Sequence, residues 1–168
     1  GYRVIKYAIE DIIEVFNARK AIEGECARLA CLSNDADYES RVKALQEELA
    51  STETGAQDPA RLMAVGSQVH QFIQEKAHNR YLTDFNTKIH SLVGIIRNTT
   101  KAYSVIENES KRSHQEILEA LAKRDGVRCA QAMRQHLHAT CVSVVQFDCN
   151  KLLGEDGQDN FTLCEVDV

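Results

Sequence analysis

The chain has 168 residues, of which 43% are hydrophobic, and its acidic residues exceed its basic ones by a net charge of −5. This length is enough to bury the core of one domain without help from disulfides or metals. One proline, Pro59, and few β-branched clusters favour long helices over a sheet. The apolar runs are too short for a membrane span, and six cysteines without a C-x-x-C pair indicate reduced thiols. We therefore expect a helical protein of the cytoplasm.

The net charge is concentrated at the end of the sequence. Residues 154–168 contain five acidic residues and no basic one, which accounts for the whole excess and leaves residues 1–153 neutral. A neutral body lacks the basic patch that nucleic-acid binding requires. The division predicts a helical domain over 1–153, a flexible acidic tail over 154–168, and no DNA contact from this chain alone.

The first three predicted helices follow from apolar side chains that recur at three- and four-residue steps. Helix one spans about 9–32, and the polar stretch 33–37 ends it. Helix two then presents an apolar stripe of Tyr38, Val42, Leu45 and Leu49. Helix three spans about 59–77 and has Pro59 at its first position, where a missing N–H costs nothing.

Three further helices complete the predicted bundle. Asn79 is a plausible N-cap for helix four, which runs to about residue 103. Helix five begins near residue 108. The stretch "KRDG" interrupts it, and Asp125 can cap helix six, which continues to about residue 153. The sequence thus predicts an all-α antiparallel bundle of about six helices.

Three histidines are predicted to lie at one level of this bundle. His114 precedes the break at Asp125 by eleven residues, and His136 follows it by eleven, so a helical hairpin there brings them face to face. His70 lies about eight residues before the turn between helices three and four, at the same end of an up-down bundle. His70 is then about 4.5 Å along the bundle axis from the level of His114 and His136, a distance that side chains can bridge.

Such a cluster favours a metal site over three separate core residues. A single buried histidine is usually a hydrogen-bonded core residue, but three buried imidazoles without a common partner would be costly. Three neutral imidazoles suit a divalent ion such as Zn²⁺ or Ni²⁺, with further positions open to water or a ligand.

Three ordered stretches carry a family resemblance: "DIIEVFNARKAIEGECARLA" (11–30), "VHQFIQEKAHNRYL" (69–82) and "SHQEILEALAKRDGVRCAQAMRQHL" (113–137). They resemble the effector domain, or FCD domain, of FadR-type regulators in the GntR superfamily. The resemblance implies an all-helical bundle that senses a small organic acid and forms a homodimer. It also implies an N-terminal winged helix-turn-helix domain, which this chain does not contain and through which alone the protein would contact DNA.

In many members of that family an aspartate and three histidines bind a divalent metal. The resemblance places the histidines at His70, His114 and His136, and the aspartate at position 66, where this sequence has glycine. Gly66 supplies no ligand and costs about 1 kcal/mol of helix propensity relative to alanine. Three possibilities follow: three histidines bind metal with water, the effector's carboxylate fills the gap, or the metal is lost and the histidines bind the ligand directly.

Arg19 is the first candidate for binding the effector's anionic group. It occupies the arginine position of the family pattern A-R-x-x-L/I-E, and it interrupts the apolar run of helix one, where an arginine needs a partner. A guanidinium fork suits a carboxylate. The alternative is an ion pair with Glu23, four residues later. Arg97 on helix four is a weaker candidate.

Three classes of function remain to be compared. A ligand-sensing regulator domain without enzymatic activity is the leading hypothesis. A metal-dependent enzyme that uses the three histidines is the alternative, although no acidic residue stands at helical spacing to them as a general base. A purely structural bundle is the third, and the histidine layer argues against it.

Overall fold

The computed structural model describes residues 8–52, 59–100 and 107–155, with the exception of the side chains of 59, 95–100, 107–109, 148 and 150–155. Six helices make up the described part: α1 (Ile9–Ala30), α2 (Tyr38–Ser51), α3 (Pro59–Lys76), α4 (Arg80–Thr100), α5 (Glu107–Ala122) and α6 (Gly126–Glu155). The predicted all-α fold and its helix order are confirmed. Residues 156–168, most of the predicted acidic tail, lie outside the described residues.

Two predicted caps define the turns that matter for the site. The Asn79 side chain accepts a hydrogen bond from Leu82 N–H at 3.2 Å and begins α4. The Asp125 side chain accepts one from Arg128 N–H at 3.0 Å and begins α6. Each side chain satisfies a backbone donor that the first helical turn leaves unpaired. The turns therefore fall where the sequence predicts them.

The turns after α1, α3 and α5 lie at one end of the bundle. Lys76 at the end of α3 donates to Asp35 and Asp37, which follow α1, at 2.7 Å each. Arg124, after α5, donates to Ser33 O at 2.5 Å. Because these turns share one end, residues at equal distances from them lie at similar heights, as the prediction for the histidines requires.

The apolar core is divided into two clusters along α1. Cys26, Ala27 and Ala30 belong to the larger cluster, near the turns, and Ile12 and Phe16 belong to the smaller one. Between them α1 buries two charged side chains, Arg19 and Glu23, each 1% exposed. A buried charge needs a partner, so this polar layer is a candidate functional region. No helix in the described part is long and apolar enough to cross a membrane.

Candidate metal centre

The structure brings His70, His114 and His136 into contact, from α3, α5 and α6. Their Nε2 atoms converge: His70 lies 3.3 Å from His136 and 3.4 Å from His114. The rings of His114 and His136 have centroids 4.3 Å apart. All three side chains are buried. The convergence predicted from helix geometry is thus observed.

Hydrogen bonds on the outer side of each ring assign the protons. His114 Nδ1 lies 2.7 Å from Ser110 O, which only accepts, so Nδ1 carries a proton. When Ser113 donates its hydroxyl proton to Ser110 O, 3.1 Å away, its oxygen accepts from His136 Nδ1–H at 2.8 Å.

The third ring, that of His70, is oriented by a carboxylate. Its Nδ1 donates to Glu23 Oε2 at 2.6 Å. In each neutral imidazole a proton on Nδ1 leaves a lone pair on Nε2. With these tautomers, the three Nε2 lone pairs are directed into the cluster, where His70 Nε2 lies 3.3 Å from His136 Nε2 and 3.4 Å from His114 Nε2.

This arrangement fits a bound cation. Burial, reinforced by the neighbouring His114 and His70, holds the pKa of His136 well below its usual value. Burial also lowers the pKa of His70, although Glu23 opposes the shift. The rings therefore favour their neutral, ligating forms. A tetrahedral Zn²⁺ at about 2.0–2.1 Å from its nitrogens separates them by about 3.3–3.4 Å, and the three ligand atoms here all lie within 4.8 Å of one another.

Gly66 lies directly against this cluster. A Cβ atom built on it would approach His114 Cε1 to 2.8 Å and Nε2 to 3.2 Å, closer than real contacts of this kind. His114 therefore occupies the space that a side chain at position 66 would take. Position 66 therefore provides no metal ligand, and the metal ligands that this cluster offers are three imidazole nitrogens.

Glu23 was not identified from the sequence as part of the histidine layer. Helical spacing connects Glu23 to residues of its own helix such as Arg19, whereas its approach to His70 comes from the packing of α1 against α3. Burial raises the pKa of Glu23, but the adjacent Arg19 and His70 outweigh that effect and hold it well below its usual value. No acidic residue stands at helical spacing to the three histidines, but the packing of a different helix supplies Glu23 to this layer.

Arg19 forms the ion pair with Glu23 that the sequence analysis gave as the alternative to anion binding, and it keeps an unused donor. Its Nε donates to Glu23 Oε1 at 2.6 Å, and its guanidinium lies 5.0 Å from the centre of the Phe16 ring. Among the described residues, Arg19 Nη1 is one of the few buried polar atoms without a hydrogen-bond partner. A buried cationic donor of this kind is suited to an anion.

The remaining candidates lie at the edge of the site or outside it. His90 on α4 has a side chain 38% exposed, with Nε2 3.5 Å from Glu23 Oε1 and a ring centroid 6.4 Å from that of His70. His90 therefore lies at the edge of the histidine cluster. The side chain of Arg97 is outside the described part of the structure, so its assignment stays a prediction.

Comparison with known proteins identifies the family. The chain is 24% identical over 152 residues to an uncharacterised HTH-type transcriptional regulator, BphR, of Paraburkholderia xenovorans (strain LB400). The match covers 88% of this chain and 62% of that regulator. Residues 14–139, which include every histidine of the cluster together with Arg19 and Glu23, match the FCD domain family. The chain therefore belongs to the FCD domain family of GntR-type regulators, as the three sequence stretches indicated.

Proposed function

We propose that this chain is the ligand-sensing and dimerisation domain of a GntR-type transcription regulator, and that it binds a small organic acid at a metal held by His70, His114 and His136. The observation that carries the proposal is the convergence of three buried histidine Nε2 atoms, together with an unsatisfied arginine donor in the same polar layer. The family and the relative point to a regulator rather than an enzyme.

The three imidazoles would hold a divalent ion such as Zn²⁺ or Ni²⁺. The ion would supply positive charge and coordination positions that a carboxylate can occupy. Since position 66 provides no carboxylate, the ligand's own acid group is the natural counter-charge. Of the possibilities left open by Gly66, we favour this one.

Arg19 would bind the same acid group or a second one. Its Nε is engaged by Glu23, while Nη1 remains available in the interior. Asn86 on α4 supports a polar ligand as well, because its amide is fully buried and neither of its polar atoms has a partner among the described residues. Unsatisfied buried groups are rare in native proteins and often mark a missing ligand.

Dimerisation is supported by an exposed apolar stripe on α4. Tyr81, Phe85 and Leu92 are 62%, 56% and 37% exposed, and their spacing places them along one side of the helix. Exposed apolar patches commonly mark protein interfaces. Ligand binding in each protomer would then change the relative position of two DNA-binding domains preceding this one.

A metal-dependent enzyme is less well supported. Hydrolysis by a metal centre needs a general base close to the reacting water. Glu23 is the carboxylate that contacts the histidine cluster, and its oxygens already accept hydrogen bonds from His70 and Arg19. No observation on the described residues favours this alternative.

A thermal-shift experiment tests the sensing role. Zn²⁺-loaded protein is titrated with mono- and dicarboxylic acids, and we expect at least one acid to raise the Tm. Arg19→Lys keeps a cation beside Glu23 but removes the second donor, so the shift should fall sharply. Arg28→Gln, which alters the surface pair with Glu25 on the same helix, should respond like the wild type. The proposal fails if no acid stabilises the wild type, or if Arg19→Lys responds equally.

A further inference from the structure

One carboxylate joins the two parts of the site. Glu23 Oε2 accepts from His70 Nδ1–H and Oε1 accepts from Arg19 Nε–H, both at 2.6 Å. The side chain is 1% exposed, so water competes little for either bond. Charge-assisted bonds this short and buried are strong and fix the orientation of both partners.

The bond to His70 determines which nitrogen faces the cluster. A carboxylate on Nδ1 holds the proton there, leaves the lone pair on Nε2 and increases the basicity of that nitrogen. Ser110 and Ser113 provide the corresponding orientation for His114 and His136 with neutral oxygen atoms. Glu23 is therefore a buried anionic partner of one of the three rings, that of His70.

The bond to Arg19 makes this effect depend on the ligand. An acid group that binds Arg19 draws part of the guanidinium charge away from Glu23. More of the carboxylate's negative charge then acts on His70, which becomes a better donor to a metal. Conversely, a metal on His70 makes Nδ1–H more acidic, strengthens its bond to Glu23 and releases Arg19 toward the acid. Such coupling must be equal in both directions.

We propose that Glu23 is a positioning residue that fixes His70 in its Nδ1–H tautomer and couples metal binding at the histidines to anion binding at Arg19. The coupling rests on the proposed function, whereas the tautomer and the effect on metal affinity do not require an effector.

Zinc affinity is the first test, measured by competition with a chromophoric chelator. Glu23→Gln removes the charge and retains the shape, and we expect it to weaken Zn²⁺ binding by about 10- to 100-fold. Glu23→Asp keeps the charge but has a shorter side chain, and its loss of Zn²⁺ affinity should be smaller. Glu25→Gln, a partly exposed neighbour on α1 that pairs with Arg28, is the matched control and should bind like the wild type. Equal affinity in Glu23→Gln and the wild type would overturn the proposal.

The tautomer is measured directly in metal-free wild-type protein, which avoids any folding defect of a variant. Imidazole ¹⁵N chemical shifts should show a protonated Nδ1 and an unprotonated Nε2 for His70. A His70 ring protonated at Nε2 in the wild type would refute the role of Glu23 even if the variants bind zinc weakly.

The coupling is tested with acetate as the probe anion. Acetate should bind the Zn²⁺-loaded wild type more tightly than the metal-free protein, and Glu23→Gln should lose most of this difference. An unchanged difference in Glu23→Gln would exclude Glu23 as the coupling residue. Failure of acetate and of every acid in the thermal-shift panel to bind would reject the effector site and the coupling, while the zinc and tautomer measurements would still decide whether Glu23 positions His70.

Discussion

The imidazole of His114 lies over the backbone of Gly66, so closely that a methyl group added at position 66 would approach Cε1 of the ring to 2.8 Å. The ring is buried and held through Nδ1 by Ser110 O, at 2.7 Å. It cannot retreat without losing that bond or its contact with His70. Gly66 therefore contributes to the histidine cluster through its lack of a side chain, which leaves the space that the His114 ring occupies.

Replacement of Gly66 by alanine should destabilise the protein, although alanine is the better helix former by about 1 kcal/mol. Overpacking a buried site typically costs about 1–3 kcal/mol, and displacement of His114 should also weaken zinc binding. Urea unfolding and zinc titration measure both effects.

Gly94 on α4 is the matched control for this substitution. A Cβ atom there meets nothing within 4 Å, so Gly94→Ala should raise the free energy of unfolding by about 0.5–1 kcal/mol. A stabilised Gly66→Ala would show that the ring moves freely and that this contact is unimportant.

Zinc should stabilise the folded protein through the three histidines. At a free Zn²⁺ concentration 100 times the Kd, linkage predicts about 2.7 kcal/mol of added stability. Alanine at His70, His114 or His136 should abolish most of the zinc-induced rise in Tm, because each removes one of three ligands.

His138 provides the control within α6. It is exposed and two residues from His136, so His138→Ala should retain the full zinc-induced shift. If the triple variant of the cluster binds as much zinc as the wild type, the metal site is elsewhere.

Lys76 should give the bundle an acid-sensitive contribution to stability. Its hydrogen bonds are the main cause that lowers the pKa of Asp35 and of Asp37. For a carboxylate with a folded pKa below the unfolded value of about 3.9, the stabilisation is complete above that value and is lost as the pH falls through the folded pKa.

Lys76→Met should therefore lower the free energy of unfolding modestly at pH 7, since partly exposed ion pairs contribute little to stability. The difference from the wild type should shrink as the pH falls from 5 toward 2. Lys43→Met, at an exposed position on α2, should show no such trend. A difference that stays constant with pH would mean that the packing of the Lys76 stem, rather than its charge, is what matters.

Tyr38 should stabilise the bundle without affecting the metal centre. Its buried hydroxyl donates to Leu121 O at 3.1 Å and thereby joins α2 to α5. Since Arg124 N–H also donates to that carbonyl, Tyr38→Phe should cost only about 1 kcal/mol, the typical net contribution of one hydrogen bond. The variant should keep its zinc affinity, and Tyr81→Phe on the surface should change neither quantity. A weaker zinc affinity in Tyr38→Phe would show that the helix packing at this end controls the site.

Much of the fold could be predicted because it depends on local features. Apolar periodicity located the helices, and Asn79 and Asp125 marked two turns whose caps the structure shows. Because a helix rises by a fixed distance per residue, the number of residues from each turn gives the height of a side chain along the bundle. These heights placed His114 and His136 at one level and His70 close to it. These heights follow from helix geometry alone, once successive turns are taken to alternate between the two ends of the bundle.

The hydrogen bonds around the site depended instead on how the helices pack. Helical spacing relates Glu23 to Arg19 on its own helix, but its contact with His70 exists because α1 lies against α3 at a particular rotation and distance. The sequence by itself determined the helices, the histidine layer and the unusual glycine. Only the tertiary structure decided that His114 fills the space at Gly66 and that Glu23 faces His70, because those contacts depend on side-chain directions across helix interfaces, which sequence spacing does not specify.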